Sequence, residues 1–242
     1  MNDGAPTLTE HLTVEIWSDV VCPWCYIGKR RFEAALRDFE HADAVDVVWR
    51  SFELDPDAPT HARVGLEQHL AEKYGVSLER AAAMNQQVTE LAAAEGLDYR
   101  LDQAQRGNTF DAHRLLHLAQ EHGLQDDAKE RLLRAYFTEA RAISDTDTLV
   151  ELLDDVGVPA DEVREALSSG AHADDVRADE TRARRLGITG VPFFALDSRY
   201  GLPGAQPADT ILQALRRTWQ ERAPLETLGE HGAACDDDGC AA

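Results

Sequence analysis

The chain has 242 residues, with 24 Lys+Arg against 45 Asp+Glu for a formal charge of −21, and 43% of it is hydrophobic. That length suffices for one large domain or two small ones with a substantial core. The acidity argues against a general nucleic-acid binder, which must neutralise phosphates with Lys and Arg, and against adsorption to an anionic membrane surface.

The first residues lack the basic start and apolar run of a secretion signal, and no stretch is long enough to span a bilayer, so the expected location is the cytoplasm. Residues 13–18 read as a short strand, with Val14 and Ile16 on one face and Glu15 and Trp17 on the other. Asp19 to Cys22 form a turn. Pro23 suits the first turn of a helix, where its missing N–H costs nothing, and Ile27, Phe32, Leu36 and Phe39 follow at roughly helical spacing. Cys22 is thereby placed at a helix N-terminus. Residues 45–52 make a second strand, parallel to the first because a helix separates them in a right-handed βαβ unit.

From about 61 to 186 Ala, Leu, Glu, Arg and Gln dominate, and breaks at Gly75, Gly96, Gly123, Gly157-Val158-Pro159 and Gly170 divide the stretch into six or seven helices. Strand character returns at 191–196 and near Arg199 to Leu202, followed by an amphipathic helix carrying Ile211, Leu215 and Trp219. The expected organisation is βαβ over 1–60, a helical insertion over 61–186, ββα over 187–223, and a tail over 224–242 with Cys235 and Cys240.

Four cysteines are too few for a disulfide scaffold, yet they fall in two pairs, Cys22/Cys25 and Cys235/Cys240. Cys22-Pro23-Trp24-Cys25 sets two thiols one helical turn apart. The helix N-terminus favours a thiolate at Cys22, leaving Cys25 to act as the resolving thiol. Half of a zinc site and an inert pair are the competing readings of such spacing. The preceding strand, the Pro at the first helical position and a second Pro downstream favour redox chemistry. That second Pro is Pro192, at the start of a strand where its missing N–H is tolerated. A cis Val191–Pro192 bond would let Val191 pair with a bound peptide, whereas an ordinary trans proline would merely enter an edge strand.

Three segments in this order, Val14 to Gly28 around the cysteine motif, Asn108 to Ala119, and Gly187 to Phe194, resemble the FrnE branch of the DsbA family. The resemblance implies a thioredoxin fold (α/β) with a large all-helical insertion, dithiol–disulfide oxidoreductase or isomerase activity, and a cis Pro192 facing Cys22 and Cys25. It also implies that Trp24, Val191, His113 and Asn108 line the substrate groove. The expected partners are protein or peptide thiols and disulfides, with glutathione or a thioredoxin-type recycling partner also admissible; no nucleic acid, membrane, metal or resident cofactor is expected. Some FrnE-like proteins carry a C-terminal C-x4-C, which Cys235 and Cys240 match, and this pair could relay electrons to the first. Trp24 stands where DsbA has His. The alternatives are a glutathione-dependent isomerase or transferase of the kappa type, and a redox-sensing or metal-binding protein.

Secondary candidates complete the reading. His113 and His117 share a helix face with Glu121, a spacing that could hold a metal but equally satisfies core hydrogen bonds. Glu15 is a candidate proton acceptor behind Cys25. Lys29-Arg30-Arg31 and Arg182/Arg184/Arg185 are the densest basic islands, expected to favour the thiolate if both face the cysteines and otherwise to be solvated or helix-terminal charges.

Overall fold

The computed structural model describes residues 11–222, and beyond them only the backbone of two short antiparallel strands, Cys235–Asp236 and Gly239–Cys240. The side chains of Cys235 and Cys240 lie outside the described residues. Strand β1 (Leu12–Ser18) leads through a tight turn into helix α1 (Pro23–Arg37), and the chain returns in β2 (Val45–Ser51), parallel to β1 in the register Val14↔Val47, Ile16↔Trp49. Seven helices follow: α2 (Leu66–Tyr74), α3 (Leu78–Ala94), α4 (Phe110–Glu121), α5 (Gln125–Phe137), α6 (Thr146–Asp154), α7 (Ala160–Ser169) and α8 (Ala173–Arg185). The chain closes with β3 (Phe193–Leu196), β4 (Tyr200–Pro203) and α9 (Ala208–Gln220). The sheet order is β2-β1-β3-β4, with β3 antiparallel to both neighbours. This is the thioredoxin fold with a helical insertion that the sequence implied.

Alternation along β1 sets the layers. Val14 and Ile16 pack with Phe32, Phe194, Ile211 and Leu215 between the sheet and α1/α9, while Trp17 turns the other way onto Ala183 and Ile188 beside α8. The largest cluster belongs to the insertion, yet it includes Val20, Tyr26 and Ile27 from the cysteine turn and α1. The insertion therefore shares one continuous core with the segment that carries the cysteines. Helix ends fall where glycines adopt positive φ, as at Gly75 (64°) and Gly170 (78°), both left-handed C-caps.

The outer edge of β2 is closed by side chains rather than by a further strand. Gln125 accepts from Trp49 N at 2.9 Å and donates to Trp49 O at 3.0 Å, and Asp179 accepts from Ser51 N at 2.9 Å. No helix among the described residues is long and apolar enough to cross a membrane.

Candidate functional site

Cys22 is the N-cap of α1 in extended conformation, Pro23 follows as the first helical residue, and Cys25 lies a turn further in. Both thiols are free and buried. The Val191–Pro192 bond is cis, and β3 begins only at Phe193, so the expected strand start at 191 is a loop laid against the cysteines. The Cys22 Sγ–H donates to Val191 O at 3.5 Å.

A cavity of about 350 Å³ opens beside this contact. Cys22, Trp24, Gly190 and Val191 stand on one side, and Leu66, Leu70, Met84 and Val88 of the insertion face them. Cys25 is not among its walls. Trp24, 40% exposed, and Leu54 give it an apolar rim. Concave, mostly apolar walls with few polar groups are the usual character of a substrate pocket.

Behind the cysteines lies a polar cluster that the sequence reading missed. Asp19, fully buried, accepts from Leu54 N at 2.8 Å and lies 3.3 Å from His113 Nε2. Burial alone would raise its carboxyl, but His113, the Leu54 N–H and the Lys129 charge outweigh it and hold Asp19 below its usual range. Lys129, on α5, is also fully buried; its Nζ sits 3.5 Å from Ser18 O and 5.4 Å above the Trp49 ring. Burial pushes this ammonium down to about 8, although Cys25 and Asp19 attract it.

The thiols do not ionise as a helix N-terminus alone would suggest. Cys22 is raised well above the ordinary thiol value, chiefly because it hydrogen-bonds to Cys25 and is buried. At Cys25 burial is opposed by the Cys22 hydrogen bond, Lys129, the Ser18 hydroxyl and the Asp19 backbone, and the net direction is down. The two sulfurs share a hydrogen bond, so a singly ionised pair divides one proton between them.

Other candidates fall elsewhere. Trp24 and Val191 line the cavity, but His113 is fully buried against Asp19 and lies behind it, so it is not a substrate contact. Asn108 is a loop fastener: its amide donates to Pro56 O at 3.1 Å and its Oδ1 accepts from Phe110 N at 2.8 Å. His117 turns to Ser51 Oγ at 3.1 Å and Asp179 at 3.2 Å, a different partner set from that of His113.

Glu15 is not behind Cys25. It lies on the α8 side of the sheet, bound by Arg50 at 2.7 Å and by Arg182, because strand alternation turns it away from α1. The first basic island is neutralised: Lys29 is buried against Glu33, Asp126 and Glu130, Arg30 pairs with Glu33 and Glu130, and Arg31 holds Glu95. In the second, Arg182 is committed to Glu15 and Arg184 to Thr181. Neither island supplies the cysteine pair with charge.

Residues 13–216 match the DSBA-like thioredoxin domain family. The chain belongs to that family. Its broad class is accordingly that of the thiol–disulfide oxidoreductases. This DsbA-like chain is 49% identical to a protein described as a probable DsbA oxidoreductase from Streptomyces coelicolor, with 96% of this chain and 99% of that one covered at a TM-score of 0.84. It is 27% identical over 215 residues to the uncharacterized protein YwbO of Bacillus subtilis, covering 84% of this chain and 94% of that protein. It shares its fold, at 20% identity and a TM-score of 0.61 over 86% of this chain and 99% of the other, with the cytosolic disulfide reductase DsbM of Pseudomonas aeruginosa, solved with GSH.

Proposed function

We propose that this DsbA-like chain is a cytoplasmic thiol–disulfide oxidoreductase or isomerase in which Cys22 attacks and Cys25 resolves. The observation that carries the reading is the inequality of the two sulfurs: Cys22 stands on the cavity wall against Val191 O, and Cys25 lies behind it with Lys129 and Ser18. With the shared proton of the singly ionised pair on Cys25, the Cys22 thiolate attacks a substrate disulfide. One S–S bond breaks as the mixed disulfide forms, and the departing substrate thiolate takes the proton from Cys25. Cys25 then attacks Cys22 Sγ, closing the Cys22–Cys25 disulfide and releasing the second substrate thiolate. Two electrons pass from the pair to the substrate disulfide, and the reverse sequence oxidises a substrate dithiol.

Val191 presents its backbone beside the reacting sulfur, where an extended peptide can pair with it, and Trp24 supplies apolar contact. Glutathione is a co-substrate of suitable size for the cavity, and Cys235/Cys240 are placed by this reading as an auxiliary relay.

Insulin reduction and scrambled-substrate refolding, each with and without glutathione, test the proposal on the wild type, Cys22→Ser and Cys235→Ser/Cys240→Ser. Loss of both activities in Cys22→Ser is expected. Activity that survives in Cys22→Ser but requires glutathione refutes the proposal in favour of a glutathione-dependent isomerase or transferase. Unchanged rates in the C-terminal double variant remove the relay.

A further inference from the structure

The cavity beside Cys22 is lined by polar side chains that the rest of the chain does not satisfy. Asn85, on α3, is nine-tenths buried, and its amide nitrogen has no hydrogen-bond partner among the described residues. Buried donors in native folds are ordinarily paired, so one that is not calls for an explanation. Arg106 lines the same cavity, half-buried, and its guanidinium makes no ion pair or hydrogen bond among the described residues. Arginines buried at least as deeply elsewhere are bound: Arg31 by Glu95, Arg114 by Asp111, and Arg131 by Glu139 and Asp155. The loop that carries Arg106 is fastened in place. Its backbone oxygen accepts from Ala62 N at 3.2 Å, and Asn108 N donates to Pro59 O at 3.1 Å. Lys73 and Asp55 also reach the wall without ion pairs among the described residues, so the wall carries two fixed cations and one carboxylate in a chain of charge −21.

We propose that Arg106, with Asn85, is the specificity determinant of this cavity, holding a carboxylate of a small organic disulfide while Cys22 attacks its sulfur. The inference rests on the reading of Cys22 as the attacking thiol. A guanidinium offers a carboxylate two parallel N–H donors, and the Asn85 amide adds a further donor on the same wall. Leu66, Leu70, Met84 and Val88 give the carbon chain of such a ligand its apolar contact. In the exchange step the Cys22 thiolate bonds to one sulfur of the ligand, the ligand S–S bond breaks, and the other half leaves as a thiolate that takes the proton from Cys25. The half joined to Cys22 keeps its carboxylate on Arg106 until Cys25 displaces it. The net charge of −21 repels anions from the molecule at large, so a preference for anionic disulfides has to come from the cavity itself.

Three aliphatic disulfides that differ in charge test this: dithiodipropionate with two carboxylates, neutral hydroxyethyl disulfide, and cystamine with two ammoniums. The rate constant for oxidation of the reduced protein by each is followed by tryptophan fluorescence. The readout is the ratio of the dithiodipropionate rate to the hydroxyethyl disulfide rate, which does not depend on the folded fraction of a sample. Arg106→Met should lower this ratio about tenfold, the worth of a charge-assisted hydrogen bond, and Asn85→Leu should lower it about threefold. Arg106→Glu should shift the preference to cystamine. Ratios equal to the wild type in both Arg106 variants overturn the inference. Suberate, which has the length and charges of dithiodipropionate but no sulfur, separates the inference from the exchange reading. At millimolar concentration it should shift the amide NMR signals of Asn85 and Gly107 in Cys22→Ser, and adding Arg106→Met should weaken that binding about tenfold. Suberate binding of this kind in a protein that none of the three disulfides oxidises would refute the exchange reading and uphold the carboxylate site. Binding that is absent, or equal with and without Arg106, overturns the site.

Discussion

Alkali should stabilise this fold through one side chain, Lys129. Its ammonium is lowered from 10.5 to about 8 in the folded chain because burial strips its water. Below pH 8 both folded and unfolded chains hold the proton, and the full cost of the buried charge is present. Between about 8 and 10.5 the folded chain has released the proton and the unfolded chain has not, so stability rises with pH; above 10.5 nothing further is gained. The shift corresponds to about 3 kcal/mol in total, with a slope of at most about 1.4 kcal/mol per pH unit. Urea denaturation across this range, in a Cys22→Ala/Cys25→Ala background where neither sulfur titrates, isolates the contribution. Loss of the thiolates removes an attraction that raises the Lys129 value, so about 3 kcal/mol becomes a lower bound there. Adding Lys129→Met should flatten the profile. Parallel curves with and without Lys129→Met would show that the ammonium carries no such burden, and the argument from burial would be wrong.

Glu53 should act in the opposite sense on the acid side. Burial, outweighing Arg177, pushes its carboxyl up from 4.5 to about 7, so stability present below 4.5 is lost as pH rises toward 7. Thermal melts of Glu53→Gln should lack that loss, worth up to about 3 kcal/mol, and an unchanged pH profile counts against it. Gly107→Ala should destabilise by about 1–3 kcal/mol, since a Cβ there would lie 2.5 Å from the backbone oxygen of Thr60 as well as against Ser144; denaturant midpoints equal to the wild type disprove the clash. Glu15→Gln should weaken the fold by about 1–3 kcal/mol through its links to Arg50 and Arg182. Its exchange rate per folded molecule should stay within about twofold of the wild type, and a large fall in turnover with stability intact would restore Glu15 to the catalytic machinery.

What was legible in the sequence is what local chemistry determines. The apolar alternation of β1, Pro23 at the first helical position and the glycines that end the insertion helices each act within a few residues, and the elements form where those signals stand. The charge environment of the cysteines was not legible because it is assembled over long sequence distances. Lys129 sits in the charged first half of α5, among Asp126, Asp127, Glu130 and Arg131, where nothing local marks it as buried, and Asp19 looks like an ordinary turn residue until His113 closes over it. Even so, alternation held one neglected clue. Ser18 has the same parity as Val14 and Ile16, which face α1, whereas Glu15 has the parity of Trp17, which faces α8. Counting along β1 points to Ser18, not Glu15, as the strand residue nearest Cys25. The basic islands misled for a related reason: beside Glu33 of the same helix, their neutralising partners Glu95 and Glu130 come from other helices and Glu15 from β1.

The side-chain closure at β2 bears on how the molecule can associate. An unpaired strand edge is a template for another chain, and proteins blunt such edges by covering or charging them. Here the amide of Gln125 repeats the donor and acceptor of a neighbouring strand at Trp49, and the Asp179 carboxylate takes the Ser51 N–H. Docking a partner strand along β2 would first require both α5 and α8 to let go. Sheet extension between copies is thereby steered to the opposite margin, at β4, where Pro203 lacks the N–H that a long ladder needs.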